Sequence, residues 1–226
     1  MVQTAENKQK IGLLGGTFDP VHNGHLAVAN HVQLALKLDS ILFIPAALPP
    51  HKPGHDDGRE ISSFINRLTM LERAIVNYSS FAVSDIEGKR SSPSYSIDTI
   101  KILISQIGKQ ADLFFIIGLD AFLEIETWKR YKDLPNLVNF VVISRATHSF
   151  DEAGEIIRKN FDGFTYEPEL KIWRSPTSKG DFILQHMEPV EISSTDIRER
   201  ARTGKNIKGL IPSAVEEYIK NQDLYI

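Results

Sequence analysis

Short apolar runs that alternate with helical patterns limit the folds that this chain can adopt. The runs cover residues 11–14, 41–44, 81–83, 113–117 and 140–143. Apolar side chains at helical spacing lie between them, at residues 24–37, 63–76, 96–107 and 119–125. A run that is apolar at every position predicts a strand buried on both faces, which is typical of parallel sheets covered by helices. The sequence therefore predicts an α/β fold with a doubly wound parallel sheet.

The pattern is weaker beyond residue 150. Between residues 150 and 187 it indicates only a helix near residues 152–159 and a strand at residues 182–185. It becomes clear again at residues 194–203 and 213–221, both of which have helical spacing. Because no repeat or linker interrupts the chain, we predict one domain spanning residues 1–226, with residues 1 to about 9 as a loose tail.

Composition excludes several classes of function. The net charge of −3 gives no overall electrostatic attraction for DNA or RNA, so we expect no nucleic-acid partner. The chain contains no cysteine, which excludes thiol nucleophiles, disulfides and cysteine-based zinc sites. Its apolar runs are too short to cross a membrane, and its polar first ten residues lack the apolar segment of a secretory signal. We therefore expect a cytoplasmic protein without a membrane partner.

A glycine-rich segment with two histidines, GGTFDPVHNGHL, follows the first predicted strand. In open parallel sheets, the loops at the carboxyl ends of strands form the ligand site. Gly15 and Gly16 allow a phosphate to approach the backbone closely, and the N-terminus of the helix that begins near Gly24 attracts anions. His22 and His25 are three residues apart, so both imidazoles can face one ligand.

This segment matches neither the GxGxxG fingerprint nor a Walker A loop, because it lacks the third glycine of the first and the Gly-Lys-Ser/Thr of the second. The structural alternative is a tight turn in which Asn23 caps the helix and the histidines face solvent.

A second segment, ISSTDIRER, precedes a helix near the other end of the chain. One interpretation is purely structural: Ser194 or Thr195 provides the N-cap of the helix, and surface charges follow it. The functional interpretation is a second phosphate clamp, because the planar guanidinium of Arg198 suits the non-bridging oxygens of a phosphate.

Taken together, GGTFDPVHNGHL and ISSTDIR resemble the two signatures of the nucleotidyltransferase superfamily that carries an HxGH motif. Four more segments resemble the bacterial nicotinate-nucleotide adenylyltransferase family: PPHKPG, SPSYSIDTI, IGLDAFLEIETWKRY and LIPSAVEEYIKNQDLY. The resemblance implies a Rossmann-like nucleotidyltransferase fold. It also implies that ATP is bound by residues of three segments: Gly15, Gly16, Thr17, Phe18, His22, His25, Gly118, Asp120, Ile192, Ser193, Ser194 and Arg198.

For the second substrate, the resemblance implies a mononucleotide site formed by His51, Lys52, Tyr95, Ser96, Trp128 and Tyr131. The family reading assigns nicotinate recognition to the backbone at Ser96, to stacking on Trp128 and to the backbone near Tyr131. Each residue also has an ordinary structural reading, as a loop charge, a helix cap or a packed aromatic ring. A pocket of backbone N–H donors favours the nicotinate carboxylate over the amide of nicotinamide.

The implied reaction is adenylyl transfer from ATP to nicotinate mononucleotide, which gives nicotinate adenine dinucleotide and pyrophosphate. We expect His25 to donate to the α-phosphate, His22 to support it and Arg198 to hold the pyrophosphate. Mg²⁺ is expected on ATP oxygens and water, so we assign no protein ligand to it. A homo-oligomer is left open.

Two alternatives for function remain at this stage. The first is an enzyme that accepts nicotinamide mononucleotide, or both mononucleotides. The second is a nucleotide sensor without turnover. The chain also departs from the family pattern: Ser96 stands where Thr is frequent, residues 145–147 replace a frequent Arg-Pro-Gly turn, and residues 150–187 match nothing in the pattern.

Overall fold

In the computed structural model, the structure describes residues 8–48, 55–56, 59–145 and 150–226. The strands in chain order are β1 (Gln9–Gly16), β2 (Ser40–Pro45), β3 (His55–Asp56), β4 (Arg59–Glu60), β5 (Phe81–Val83), β6 (Ala111–Gly118), β7 (Asn139–Arg145), β8 (Thr165–Glu167), β9 (Ile172–Arg174) and β10 (Phe182–Met187). The helices are α1 (Asn23–Leu36), α2 (Phe64–Ile75), α3 (Ser96–Ile107), α4 (Leu119–Leu123), α5 (Asp151–Asn160), α6 (Ser194–Arg202) and α7 (Ser213–Asn221).

One sheet organises the fold, with strand order β5-β2-β1-β6-β7-β10-β9-β8. Its first six strands are parallel, and β9 and β8 extend it in antiparallel pairing. When the six parallel strands are counted along the chain, their order is 3-2-1-4-5-6, the doubly wound arrangement. The predicted fold class is therefore confirmed. Strand order reverses between β1 and β6, which places the ligand-binding crevice at their carboxyl ends.

Alternate side chains of the strands enter two separate cores, one on each face of the sheet. Leu13, Phe115 and Val142 pack with α3, α4 and α5 on one face. Leu14, Ile116 and Val141 pack with α1, α2, α6 and α7 on the other. Because both faces are covered, the parallel strands are apolar at successive positions, as the sequence pattern indicated.

The region with the weakest sequence pattern contains the two short antiparallel strands. β8 is exposed at Thr165 and Tyr166, and β9 contributes only Ile172 and Trp173 to the buried set. Strands of three residues are too short to show a period, so neither was predicted. Gln9, which the sequence placed at the end of a loose tail, instead belongs to β1 and pairs with Ala111. The rest of the predicted tail, residues 1–7, lies outside the described residues.

Helix α4 is shorter than its apolar pattern suggested. It ends at Leu123, and a separate 3-10 turn covers Ile125–Thr127. A second 3-10 segment, Tyr131–Asn136, follows it. None of the helices in the described ranges has the length and apolar character needed to span a membrane.

Candidate active site

A cavity of about 410 Å³ opens at the carboxyl ends of the central strands. Its floor includes the ends of β1 and β6, on either side of the point where strand order reverses. Three of the segments singled out in the sequence contribute to its wall. The predicted site residues that line it are Gly15, Gly16, Thr17, His25, Ser96, Gly118, Asp120 and Trp128.

The loop after β1 is held in an unusual backbone conformation. Phe18 has φ of 53°, in the left-handed region that non-glycine residues seldom adopt. Its ring is buried beneath the loop and contacts His25 edge-on, with ring centroids 4.9 Å apart. A Cβ added at Gly16 would lie only 3.0 Å from that ring. Phe18 therefore supports the loop from below, whereas Gly16 and Thr17 form the cavity wall.

The two histidines stack on each other but differ in their access to the cavity. The backbone N–H of His22 donates to Nδ1 of His25 at 3.2 Å. A neutral imidazole that accepts at Nδ1 carries its proton on Nε2, so His25 can offer an N–H donor to a ligand. The rings stack with centroids 3.7 Å apart, and His25 lines the cavity while His22 is buried behind it.

Gly24 is required by the packing of this pair. A Cβ at this position would lie 2.9 Å from Nδ1 of His22, which is closer than packed side chains tolerate.

The structural alternative for the first motif is wrong about Asn23. The N-cap of α1 is His22, and Asn23 is the first helical residue. Its side-chain amide donates to the carbonyl of Gly209 at 2.8 Å, and its backbone N–H donates to the carbonyl of Leu210 at 2.9 Å. The backbone N–H of Asn23 therefore anchors the segment before α7 and is not available to a ligand at this end of α1.

The second motif docks on the back of the first loop. Ser193, and not Ser194 or Thr195 as expected, is the N-cap of α6, and its hydroxyl accepts from the N–H of Asp196 at 3.1 Å. The hydroxyl of Ser194 instead donates to the carbonyl of Pro20 at 2.9 Å.

Arg198 is 8% exposed, and its Nη1 donates to the carbonyl of Asp19 at 2.7 Å. Its Nη2 donates to the hydroxyl of Thr195 at 3.2 Å. Residues 192–194 and Arg198 are not among the described residues that line the cavity. The structure thus brings the two motifs into direct contact, with the second motif at the outer side of the loop.

The opposite wall combines a helix N-terminus with an aromatic ring. Helix α3 begins at Ser96, where the first amides of a helix have no acceptor within the helix. Trp128 is half-buried and meets Phe115 edge-on, with centroids 5.9 Å apart. Gly118 and Asp120 lie between the two walls, and a Cβ at Gly118 would overlap the carboxylate of Asp120.

Two predicted mononucleotide residues lie outside the described cavity lining. Tyr95 is the N-cap residue of α3, and its ring lies under the ammonium group of Lys129 at 4.6 Å. The hydroxyl of Tyr131 and the Oδ1 atom of Asn160 are 3.2 Å apart, and the N–H of Tyr131 donates to the carbonyl of Trp128 at 3.3 Å. His51 and Lys52 fall outside the described residues, so their predicted roles stay predictions.

Sequence reasoning missed a polar cluster in the same cavity. Glu87 and Thr99 line it, and the hydroxyl of Thr99 donates to Oε1 of Glu87 at 2.6 Å. Nη2 of Arg90 donates to the same hydroxyl at 2.8 Å. Thr99 belongs to the segment SPSYSIDTI that was singled out, whereas DIEGKR around Glu87 gave no signal.

Ser94 also lines the cavity, and its hydroxyl accepts from the N–H groups of Ala47 and Leu48 at 3.0 and 3.1 Å. It ties the segment that follows β2 to the residues just before α3.

A buried arginine underlies the first loop and was also missed. Arg67 is 2% exposed, and its Nη1 donates to the carbonyls of Thr17 and Ala46 at 2.8 and 2.7 Å. Its Nε donates to the carbonyl of Ser62 at 2.9 Å. Burial lowers the pKa of this guanidinium, and the nearby Asp19 carboxylate opposes that effect. Arg67 appeared in the sequence only as a charge in an amphipathic helix.

Comparison with known proteins gives consistent results. The cytidylyltransferase-like family model matches residues 13–200. The chain is 41% identical over 220 residues to a probable nicotinate-nucleotide adenylyltransferase of Geotalea uraniireducens (strain Rf4), covering 96% of this chain and 98% of that protein. It is 39% identical over 218 residues to the probable nicotinate-nucleotide adenylyltransferase of Geobacter sp. (strain M21), with the same coverage.

Among solved structures, the chain resembles the Plasmodium falciparum nicotinic acid mononucleotide adenylyltransferase complexed with NaAD. The TM-score is 0.72 at 20% identity, covering 96% of this chain and 97% of that one, which shows a shared fold. A putative nicotinate-nucleotide adenylyltransferase from Vibrio parahaemolyticus matches with a TM-score of 0.58 at 18% identity, covering 96% and 95%. The family match and the full-length identity to the bacterial relatives show that the chain belongs to the nicotinate-nucleotide adenylyltransferase family of nucleotidyltransferase enzymes.

Proposed function

We propose that this protein transfers the adenylyl group of ATP to nicotinate mononucleotide, and that it releases pyrophosphate and nicotinate adenine dinucleotide. The observation that carries the proposal is the composition of the cavity at the strand-order reversal. One wall has Gly15, Gly16, Thr17 and His25, which are suited to phosphate, and the opposite wall has the α3 N-terminus and Trp128.

The chemistry needs alignment more than it needs a base. The 5′-phosphate of the mononucleotide is ionised at neutral pH, because the second pKa of such a phosphate is about 6. Its oxygen attacks the α-phosphorus of ATP, a new P–O bond forms, and the bond to the bridging oxygen of pyrophosphate breaks with its electrons. Charge grows on the non-bridging oxygens of the α-phosphate, where a positioned donor stabilises it.

His25 is placed to be that donor. Because its Nδ1 accepts from the His22 backbone N–H, the proton of the neutral ring is carried on Nε2, and the ring itself lines the cavity. His22 stacks against it and fixes the ring plane. We assign Arg198 to the departing pyrophosphate because ISSTDIR resembles the second superfamily motif; its guanidinium is fixed against the first loop by the carbonyl of Asp19.

Mg²⁺ is expected to enter on ATP. This ion keeps water and substrate phosphates as ligands and is seldom held by a full set of protein side chains. We therefore propose that it neutralises the triphosphate when ATP is bound, and we assign it no protein ligand.

The α3 N-terminus supports the acid over the amide as acceptor. The amides near Ser96 are donors only, and the positive end of the helix dipole adds to their attraction for an anion. A nicotinate carboxylate accepts from such donors, whereas one face of the nicotinamide group presents another N–H₂ donor to them. Trp128 offers a flat surface for the pyridine ring.

The test is a coupled assay of pyrophosphate release with ATP and each mononucleotide in turn. We expect kcat/KM for nicotinate mononucleotide to exceed that for nicotinamide mononucleotide by at least 10-fold, on the scale of a pocket that leaves one donor opposed. Equal values would remove the assignment of the acid as acceptor. Measurable ATP binding by calorimetry without pyrophosphate release would instead identify a nucleotide sensor.

A further inference from the structure

Asp19 connects several parts of the chain beneath the first loop, although it does not line the cavity. It is 4% exposed, and its carbonyl accepts from Nη1 of Arg198 at 2.7 Å. Its carboxylate accepts from the backbone N–H of Ser62 at 3.2 Å and from the hydroxyl of Tyr225 at 2.6 Å. One residue therefore joins the guanidinium of the second motif to a tyrosine 206 positions away in sequence.

The hydrogen bond from Tyr225 to Asp19 is short, and the Tyr225 side chain is half-buried. The Tyr225 side chain packs against the core on the α1 face of the sheet, and its hydroxyl also lies 3.9 Å from Sδ of Met70. Burial raises the pKa of the Tyr225 hydroxyl, and the Asp19 carboxylate raises it further, so the hydroxyl stays protonated and remains a donor at any assay pH near neutrality.

We propose that Tyr225 is a positioning residue for pyrophosphate: by holding the Asp19 carboxylate, it fixes the Asp19 carbonyl that orients Arg198. The Tyr225 hydroxyl donates to the side-chain carboxylate of Asp19, and the Arg198 guanidinium donates to its backbone carbonyl. A loss of the hydroxyl frees the Asp19 side chain, and in the proposal this change reaches Arg198 through the Asp19 carbonyl. The proposal rests on the pyrophosphate role assigned to Arg198 above.

Tyr225→Phe tests this with the smallest change, since it removes one oxygen and keeps the ring. In the reverse reaction, with nicotinate adenine dinucleotide and pyrophosphate as substrates, we expect the KM for pyrophosphate to rise about fivefold, the usual scale of one lost hydrogen bond. The KM for nicotinate adenine dinucleotide should stay within about twofold, because the wall formed by the α3 N-terminus and Trp128 is untouched.

Tyr218→Phe is the matched control. It also removes a half-buried tyrosine hydroxyl, one that donates to Oδ1 of Asn66 at 3.0 Å and joins α7 to α2. Both variants are first compared with the wild type by thermal unfolding. If both raise the KM for pyrophosphate equally, or if Tyr225→Phe changes every kinetic constant in parallel, the effect is general loosening and the proposal is wrong.

A double-mutant cycle identifies the route. In an Arg198→Lys background, Tyr225→Phe should have little further effect on the KM for pyrophosphate, because the fork that Asp19 orients is already lost. A full fivefold effect in that background would overturn the proposal. Should Tyr225→Phe fail to fold, Asp19→Asn weakens the same contact from the acceptor side and should show the same selective rise.

Failure of the proposed function is separable from failure of this inference. Turnover by the wild-type enzyme tests the proposed function. If the wild type does not turn over, direct calorimetric binding of pyrophosphate to the wild type, Tyr225→Phe and Tyr218→Phe still tests this inference, with about fivefold weaker binding expected only for Tyr225→Phe. Unchanged binding would overturn it.

Discussion

Replacement of His25 by Asn should separate the catalytic use of this imidazole from its structural use. The Oδ1 atom of Asn lies near the position of Nδ1 in His, so the variant retains an acceptor for the backbone N–H of His22, which now lies 3.2 Å from Nδ1. It removes the Nε2 donor on the cavity side. Loss of one preorganised donor lowers kcat by roughly 10²- to 10³-fold, or about 2.7–4 kcal/mol of transition-state stabilisation.

The assay is kcat for pyrophosphate release, with the dissociation constant of ATP measured separately by calorimetry. We expect kcat to fall at least 10²-fold while ATP binds within a few-fold of the wild type, because the donor acts mainly on charge that develops during transfer. His25→Gln, whose longer side chain carries an N–H₂ group nearer the Nε2 position, should recover part of the loss.

His31→Asn is the control on the same helix, away from the cavity lining, and should leave kcat within about twofold. The reasoning is refuted if the folded His25→Asn variant turns over at a rate close to that of the wild type, or if its whole loss of kcat/KM is accounted for by weaker ATP binding.

Three further predictions concern the rest of the site. Trp128→Ala should raise the KM for the mononucleotide by about 10-fold, since a stacked base contributes about 1–3 kcal/mol, while the KM for ATP changes little in a two-substrate steady-state analysis. Gly24→Ala should lower kcat at least 10-fold in the same assay, because the added Cβ would lie 2.9 Å from Nδ1 of His22 and displace the stacked pair. Arg67→Met should lower the free energy of unfolding in urea by about 3 kcal/mol, because it leaves several buried carbonyls without a donor, whereas the exposed Arg73→Met should cost under about 1 kcal/mol.

The sheet and its helices were largely predictable because their signals are local. Each central strand is apolar at successive positions, and each of the longer helices has a periodic apolar face, so no information from distant residues was needed. The strands β8 and β9 were not predictable, since three residues carry no period and their pairing depends on β10 being in place.

The candidate site was predictable only in part, because only some of its features leave a local signal in the sequence. Gly15 and His25 lie in a segment whose residue types suggest ligand binding on their own, whereas the role of Trp128 is predicted mainly from the family resemblance. Contacts between segments are invisible to such reasoning. Ser194 looked like a helix cap, but its hydroxyl is used 174 residues away in sequence, on the carbonyl of Pro20. Arg198 is likewise fixed by a carbonyl 179 residues distant.

The buried arginine under the first loop orients the backbone that we propose to bind phosphate. A peptide group is planar and usually trans, so the carbonyl of one residue and the N–H of the next point in opposite directions. The Thr17 carbonyl is held by Arg67, which lies beneath the loop and outside the described cavity lining, so the N–H of Phe18 is turned away from Arg67.

Burial of a guanidinium is costly, and a core in which apolar groups replace both a buried charge and its partners is often equally stable. The benefit of Arg67 therefore lies in orientation. It binds backbone carbonyls on the side of the loop that faces it, and it leaves backbone N–H donors on the opposite side, where we propose that phosphate binds. By this argument Arg67→Met should weaken ATP binding even under conditions in which the variant is fully folded.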